Sequence, residues 1–287
     1  MPIRELPDLT PQQVIRLQDA LLNNADSLFS SALALLEAGR VALAQSLAIL
    51  GLEESGKAIA VHQRRVQMCR IEDGATFRCE WLDEVWSSHQ RKLEIVHQFL
   101  EYEDYWFGTG PPEPGENAAV LGTLRRWTRK HDDLKKAGLY VELSRTGEAL
   151  APARFTESER LLEVLNRVHQ IGWQLRLGEH IEGQEQDRRA EGIPASTPED
   201  VDEWFPSDGT AGREEIRAFS LQGVPGEVLP NTAYRFNPPG GDRKPFDTFG
   251  KPGYEAQTRE LIALMNDRQE PSEPNDVQGH SPTPEEP

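Results

Sequence analysis

Three charged side chains, Glu53, Glu54 and Lys57, lie within the almost wholly apolar stretch of residues 41–60. Glu53 and Lys57 are four residues apart, in the order that favours an ion pair on a helix. On a helix surface such a pair contributes only about 0.3–0.5 kcal/mol and has no function. Here the apolar neighbours predict that at least one carboxylate faces a helix-bundle interior, where burial requires Lys57 or another cation. We therefore expect a buried polar cluster, structural or functional.

A histidine, His89, interrupts the apolar stripe of a second helical segment. It falls between Trp86 and Leu93, at the spacing of three and four residues that places side chains on one helix face. A histidine in this position is more often a core residue with satisfied hydrogen bonds than a catalyst. Lys92 follows three residues later on neighbouring turns of the same face. This spacing favours a charged centre that joins His89 and Lys92 to the charges of residues 53–57.

The densest basic stretch, residues 125–131, carries three arginines, a lysine and His131. One interpretation is a solvated helix face that balances acidic neighbours. The alternative is a phosphodiester site, in which Arg126 or Arg125 holds the phosphate and His131 is the general acid or base. Arg126 and His131 are separated by about 140° around an ideal helix. They can converge on one phosphate only if the long arginine side chain extends around the helix, if the helix is irregular, or if a second subunit supplies one of the two residues.

Other chemistries have less support in the sequence. Arg91 and His97 form a weaker alternative pair with the same geometric difficulty. There is no glycine-rich phosphate loop, no nucleophile elbow and no His/Cys set with zinc spacing, so we expect neither a metal nor a cofactor. The neighbours of His62, His169 and His180 are typical of helix surfaces.

Periodic apolar residues predict the long helices that must position these groups. Thr10 and Pro11 indicate an N-cap followed by proline in the first turn, and this helix ends near Gly39. A second helix, over residues 40–70, is apolar nearly all round in its first half and should be buried among others. The spacing predicts a third helix over residues 80–103.

Two further helices complete the predicted bundle. The fourth covers residues 118–136 and stops at Gly138, which is expected to follow its C-cap. The fifth begins near Thr156, whose spacing to Glu159 suggests a capping box, and continues to about Arg189. The sequence therefore predicts an all-α bundle of about five long helices.

Composition limits the classes of function. The formal net charge is −17 and the sequence pI is about 4.9, so the chain as a whole lacks the basic footprint of a nucleic-acid-binding protein. Steered binding to acidic membranes is disfavoured for the same reason. The two cysteines, Cys69 and Cys79, fit no zinc or redox motif. The chain shows neither a secretory signal nor an apolar run of membrane-spanning length, and we expect a cytoplasmic protein.

The chain changes character after Gly192. We predict a helical domain at residues 1–190, a Pro/Gly-rich region with short docking segments at 191–268, and a disordered acidic tail at 269–287. The apolar islands of the middle region, at residues 204–205, 219–221 and 261–265, are candidates to dock on the helical domain or to bind a partner.

Three sequence blocks, at residues 48–58, 86–92 and 134–142, resemble the AbiV-type abortive infection family, a branch of the HEPN-like helical superfamily. They occur in the order found in that family, and the resemblance covers roughly residues 15–185. It implies a HEPN-like helical bundle. The third block adds Lys135 and Tyr140 to the predicted polar cluster.

The resemblance implies an antiphage effector that arrests growth or translation, works as a homodimer and meets RNA, the translation machinery or a phage protein. Many HEPN-like relatives are metal-independent ribonucleases with an Arg-x(4–6)-His motif. Here only His131 with Arg126 or Arg125, and Arg91 with His97, have that spacing. The residue after the motif arginine is usually polar in those ribonucleases, but a tryptophan follows Arg126. A helical interaction module that sequesters a protein partner is therefore the alternative.

Overall fold

The computed structural model describes residues 5–105, 113–152, 158–207 and 209–236, and it is 72% helical with almost no strand. The helices are α1 (Pro11–Glu37), α2 (Val41–Met68), α3 (Glu80–Ser87), α4 (His89–Tyr102), α5 (Pro114–Leu121), α6 (Leu124–Leu139), α7 (Ser158–Glu191), α8 (Pro198–Trp204) and α9 (Ala211–Gln222). A short antiparallel hairpin pairs β1 (Glu142–Leu143) with β2 (Ala149–Leu150). The predicted all-α class is confirmed.

The bundle is organised around α2, which packs against α1, α4, α6 and α7. Most of its apolar and small residues are buried, as the pattern of the first half of the helix predicts, although Leu43 is 39% exposed. The start of α1 also follows the sequence. Thr10 caps the helix in a reciprocal capping box with Gln13, and Pro11 is the first helical residue.

The third predicted helix is interrupted, which is a correction to the expectation of one helix over residues 80–103. Ser88 adopts an extended conformation (φ −122°, ψ 120°) between α3 and α4. The Ser88 hydroxyl accepts a hydrogen bond of 3.2 Å from the Arg91 N–H and so caps α4. Serine competes with the helix in this way because its side chain replaces a backbone acceptor. The break makes His89 the first residue of α4.

The fourth predicted helix is also two helices, and its expected end at Gly138 is wrong. Gly122 has a left-handed φ of +77°, which separates α5 from α6. Gly138 lies within α6, where a Cβ atom would overlap the Ser46 side chain and the Ala42 carbonyl of α2. This glycine therefore allows α6 and α2 to come into close contact. The predicted capping box at Thr156 lies outside the described residues.

The prediction that His62 lies on a helix surface is wrong. His62 is 1% exposed, because α2 is enclosed by other helices at this position as well. Its Nε2 lies 2.8 Å from the Tyr105 hydroxyl. Burial and the nearby Arg65 guanidinium lower the pKa of His62 to about 3, so the ring is neutral and belongs to the core.

The region after Gly192 contains both exposed and docked segments. Residues 229–236, which we call the strap, pack on the ends of α2 and α7 and bury Tyr234 and Phe236. The apolar islands at residues 204–205 and 219–221 are mainly exposed. The island at 261–265 and the acidic tail at 269–287 lie outside the described residues. No helix among the described residues has the length and apolar content to cross a membrane.

Candidate functional site: a charged cluster of α2, α4 and α6

The carboxylate of Glu53 is buried between three helices and has a basic partner on each oxygen. Glu53 is 3% exposed. Its Oε1 lies 2.5 Å from Nζ of Lys135 on α6, and its Oε2 lies 2.5 Å from Nδ1 of His89 on α4. A buried carboxylate is tolerated when charge and hydrogen bonds compensate its lost hydration, and both are present here.

Small residues on α2 and α6 set the distances between these helices. At Gly56 of α2, a Cβ atom would overlap the Lys92 carbonyl of α4, so the two backbones touch. On the other side, the Ser46 hydroxyl donates a hydrogen bond of 2.9 Å to the Lys135 carbonyl. This bond fixes the position from which Lys135 reaches Glu53. The carboxylate therefore lies in a gap whose width is determined by Gly56, Ser46 and Gly138.

His89 connects the buried carboxylate to solvent. The break at Ser88 places His89 in the first turn of α4, and its side chain is 62% exposed although Nδ1 contacts Glu53. Because a carboxylate only accepts hydrogen bonds, Nδ1 carries the proton in this contact. The neutral ring then has its free lone pair on Nε2, which is the form of a general base.

The expected pair of Glu53 with Lys57 does not form. Lys57 instead contacts Glu54 at 2.5 Å, and both side chains are mostly buried. The Lys57 ammonium also lies 5.7 Å from the centre of the Trp86 ring, within the range of a cation–π contact. Glu53 is turned away from Lys57, toward α4 and α6, and this orientation explains the exchange of partners.

Lys92 is the cation of the cluster that remains available. It is 9% exposed, and among the described residues its ammonium forms no hydrogen bond or ion pair. Burial lowers the pKa of Lys92, and the charges of Lys57 and Lys135 lower it further, against the opposite effect of Glu53 and Glu54. Lys92 follows His89 by three residues on α4, and an ammonium with free donors about one turn from an exposed imidazole is suited to bind an anion.

The structure does not bring His131 together with Arg126 or Arg125 within one chain. Both arginines are exposed, whereas His131 is 5% exposed. The Nδ1–H of His131 donates a hydrogen bond of 2.8 Å to the Trp127 carbonyl, and the two rings are in contact. Burial is the main cause that lowers the pKa of His131 to about 4, so the ring is neutral at pH 7. A catalytic role for this pair stays a prediction.

The surroundings of His131 include a residue that the sequence analysis did not single out. His131 lines a cavity of about 150 Å³ with Lys130 and, from α7, Glu163 and Arg167. Arg167 forms an ion pair of 2.7 Å with Glu163. No sequence signal connects Arg167 to His131, because only the packing of α7 on α6 makes them neighbours.

The remaining site candidates lie apart from the cluster. His97 is 2% exposed and its Nε2–H donates a hydrogen bond of 2.9 Å to the Gly122 carbonyl. Arg91 is 55% exposed and pairs with Glu94 at 2.8 Å. Tyr140 is 62% exposed, because the chain becomes extended where α6 ends. In the described part of the chain, no three His, Cys, Asp or Glu side chains are placed to hold a metal ion.

A central buried helix surrounded by long helices, with a charged cluster between three of them, defines an all-α bundle of the HEPN-like class. A family model described as AbiV, from the HEPN group, matches residues 13–173, which is more than half of the chain. The chain therefore belongs to the AbiV family of HEPN proteins. This membership indicates abortive-infection defence. No curated protein and no solved structure matches the chain.

Proposed function

We propose that the chain is an effector of abortive-infection defence that arrests growth or translation by cleaving RNA at the charged cluster. The observation that supports this proposal is the contact of 2.5 Å between buried Glu53 and exposed His89. A carboxylate that holds an imidazole in one tautomer, with the second nitrogen free, is a recurrent arrangement in general acid–base catalysis.

The reaction needs RNA, these side chains and solvent water. Nε2 of His89 takes the proton of a ribose 2′-hydroxyl, and the 2′ oxygen attacks the adjacent phosphorus. The bond from phosphorus to the 5′ oxygen breaks, that oxygen takes a proton from a water molecule, and His89 returns its own proton to the solvent. The products carry a 2′,3′-cyclic phosphate and a 5′-hydroxyl. Glu53 stabilises the imidazolium that forms during the proton transfer.

The lysines of the cluster supply the charge that an RNA phosphate requires. Lys92 offers free donors about one helical turn from His89, and this placement suits a phosphate whose charge increases in the transition state. Because the chain carries a net charge of −17, RNA is repelled at long range and bound only by local cations. We therefore expect weak binding with only a shallow decrease on added salt, because few cations contact the phosphates.

The test is cleavage of RNA by the purified full-length protein in the presence of EDTA, with analysis of the product ends. His89→Ala and Glu53→Gln should each lower the rate by about 100-fold or more, the usual contribution of a general base. The matched control is His180→Ala, which changes a histidine elsewhere in the chain. If His131→Ala abolishes cleavage while His89→Ala keeps full activity, the catalytic site is the cavity lined by His131 and Arg167 and not the charged cluster.

A non-catalytic interaction module is the second candidate. It is favoured by the separation of both Arg–His pairs, and by the pairing of Glu53 with Lys135, which leaves the carboxylate already satisfied. This module would arrest growth by sequestering a protein partner. It predicts a stable complex and no turnover on any RNA, with phage resistance retained in His89→Ala.

A further inference from the structure

The segment of residues 193–224 forms a helical arm that is closed at its base. Ile193 and Val224 exchange two backbone hydrogen bonds of 2.9 and 2.8 Å in an isolated β-bridge. Helices α8 and α9 lie between these residues, and Arg217 of α9 donates to the Val201 carbonyl of α8 at 3.4 Å. Val201 is buried. The arm is thus held in shape by its own contacts.

Large apolar side chains on this arm face solvent. Trp204 is 59%, Ile216 is 50% and Phe219 is 55% exposed. Ile216 and Phe219 are three residues apart and share one face of α9, a helix with no buried residue. Single exposed apolar residues are ordinary, but two large ones on one face of α9, with a third on the contacting helix α8, indicate an interaction surface.

The charges around these residues are predominantly negative. Residues 193–224 contain seven acidic and two basic residues, a net charge of −5. One of the two basic residues, Arg217, is already engaged by Asp202 within the arm. In the described part of the chain, Glu203 and Glu215 form no ion pair, so their carboxylates remain uncompensated at positions that adjoin Trp204 and Ile216 in the sequence.

We propose that the arm binds a protein partner through an amphipathic segment whose apolar face is bordered by lysine or arginine. Apolar contact supplies the burial, and the partner's cations neutralise the carboxylates at the rim. The negative charge of the arm disfavours an anionic membrane, RNA and a second copy of the same arm, because each repels it. The inference is independent of RNA cleavage and concerns residues outside the family match at 13–173.

The test uses the full-length protein and two labelled helical peptides with the same apolar face, one bordered by lysine and the other by glutamate. Fluorescence anisotropy should show at least about tenfold tighter binding of the lysine peptide, decreasing with salt. Ile216→Ser/Phe219→Ser and, separately, Glu203→Lys/Glu215→Lys should each weaken binding about tenfold. The matched control is Val120→Ser, which changes a side chain that is 77% exposed on α5.

Several outcomes would overturn the proposal. Equal affinity for the two peptides would remove the role of charge, and unchanged affinity in Ile216→Ser/Phe219→Ser would place binding elsewhere. Stronger binding to phosphatidylserine vesicles than to the lysine peptide would identify a membrane surface. Self-association in sedimentation experiments that disappears in the same double variant would identify an interface between copies. Circular dichroism of every variant establishes that these results concern a folded protein.

Discussion

Nζ of Lys135 lies 2.5 Å from Oε1 of Glu53, and this contact joins two helices whose residues are 82 positions apart in the sequence. Both side chains are at least 93% buried. Lys135 also lies 3.2 Å from Asp132 of its own helix. The cluster is therefore a network in which Glu53, Lys135 and Asp132 are linked by ion pairs while Lys92 forms none among the described residues, and its members should not contribute independently to stability.

Removal of Lys135 alone should destabilise the protein strongly. Lys135→Met leaves the Glu53 carboxylate buried with only His89, and we expect the free energy of unfolding to decrease by about 3–5 kcal/mol. Glu53→Leu/Lys135→Met removes both charges and should recover most of that loss. Urea denaturation measures the free energy of unfolding of the unchanged protein, of Lys135→Met and of the double variant. Lys136→Met is the control, since this neighbour is 50% exposed and its loss should change stability by less than about 1 kcal/mol. A double variant no more stable than Lys135→Met would contradict the pairing.

The close contact of α2 with α6 gives a second prediction, at Gly138. Gly138→Ala forces a methyl group against Ser46 and the Ala42 carbonyl, and we expect a loss of about 2–3 kcal/mol together with displacement of Lys135. Gly115→Ala is the matched control, because a methyl group at this position of α5 meets no atom within 4 Å. The control should be neutral or slightly stabilising, since alanine is the better helix former. Similar thermal shifts in the two variants would mean that α6 is not pressed against α2.

The burial of His131 predicts a specific loss of stability in mild acid. Its pKa is about 4 in the folded protein and near 6.5 in the unfolded chain, so the unfolded state binds more protons between these values. The contribution of His131 to the free energy of unfolding is fully present above about pH 6.5 and decreases as the pH falls toward 4. Between pH 7 and pH 5 the decrease should be about 2 kcal/mol. Denaturation experiments at the two pH values measure this difference, and His131→Gln should remove the part that His131 contributes. If the difference between pH 7 and pH 5 is the same in His131→Gln, His131 is not desolvated in the folded protein.

The apolar pattern predicted the burial of Glu53 but could not pair it with Lys135, which only the family resemblance added to the cluster. The apolar neighbours on α2 are local information, and they correctly indicate a carboxylate in the interior. Lys135 is reached only because Gly122 ends α5 and reorients α6, and helical periodicity carries no information about that angle. Lys57 was the reasonable local choice, yet Lys57 pairs with Glu54 instead.

The break at Ser88 was missed for a similar reason. No glycine or proline marks it, and the apolar stripe continues through it from Trp86 to Leu93, so periodicity alone predicts one helix. The side-chain cap at Ser88 decides the outcome, because it gives the Arg91 N–H an acceptor outside the helix. The part of the site most relevant to the proposed chemistry, the exposed imidazole of His89, depends on this local event.

The last prediction concerns where the folded domain ends. In the strap, Tyr234 and Phe236 are 5% and 3% exposed, and the Arg65 guanidinium lies 3.9 Å from the Phe236 ring. Gln186 of α7 accepts a hydrogen bond of 3.0 Å from the Phe236 N–H. Truncation after residue 236 should therefore preserve the melting temperature. Truncation after residue 228 should lower stability by at least about 3 kcal/mol, the usual cost of losing one large buried aromatic side chain.

Calorimetry gives the melting temperatures of the two truncated proteins, and the difference between them is the contribution of the strap alone. The shorter protein loses only eight more residues, yet it also leaves buried Arg65 without the strap carbonyls that it contacts at 3.3 and 3.1 Å. Equal melting temperatures would show that the strap does not contribute to the fold, and that the boundary predicted at residue 190 is the better one. A lower value for the shorter protein alone would move the boundary to residue 236. Functional deletions of the tail should then begin after that position, so that lost activity is not confused with unfolding.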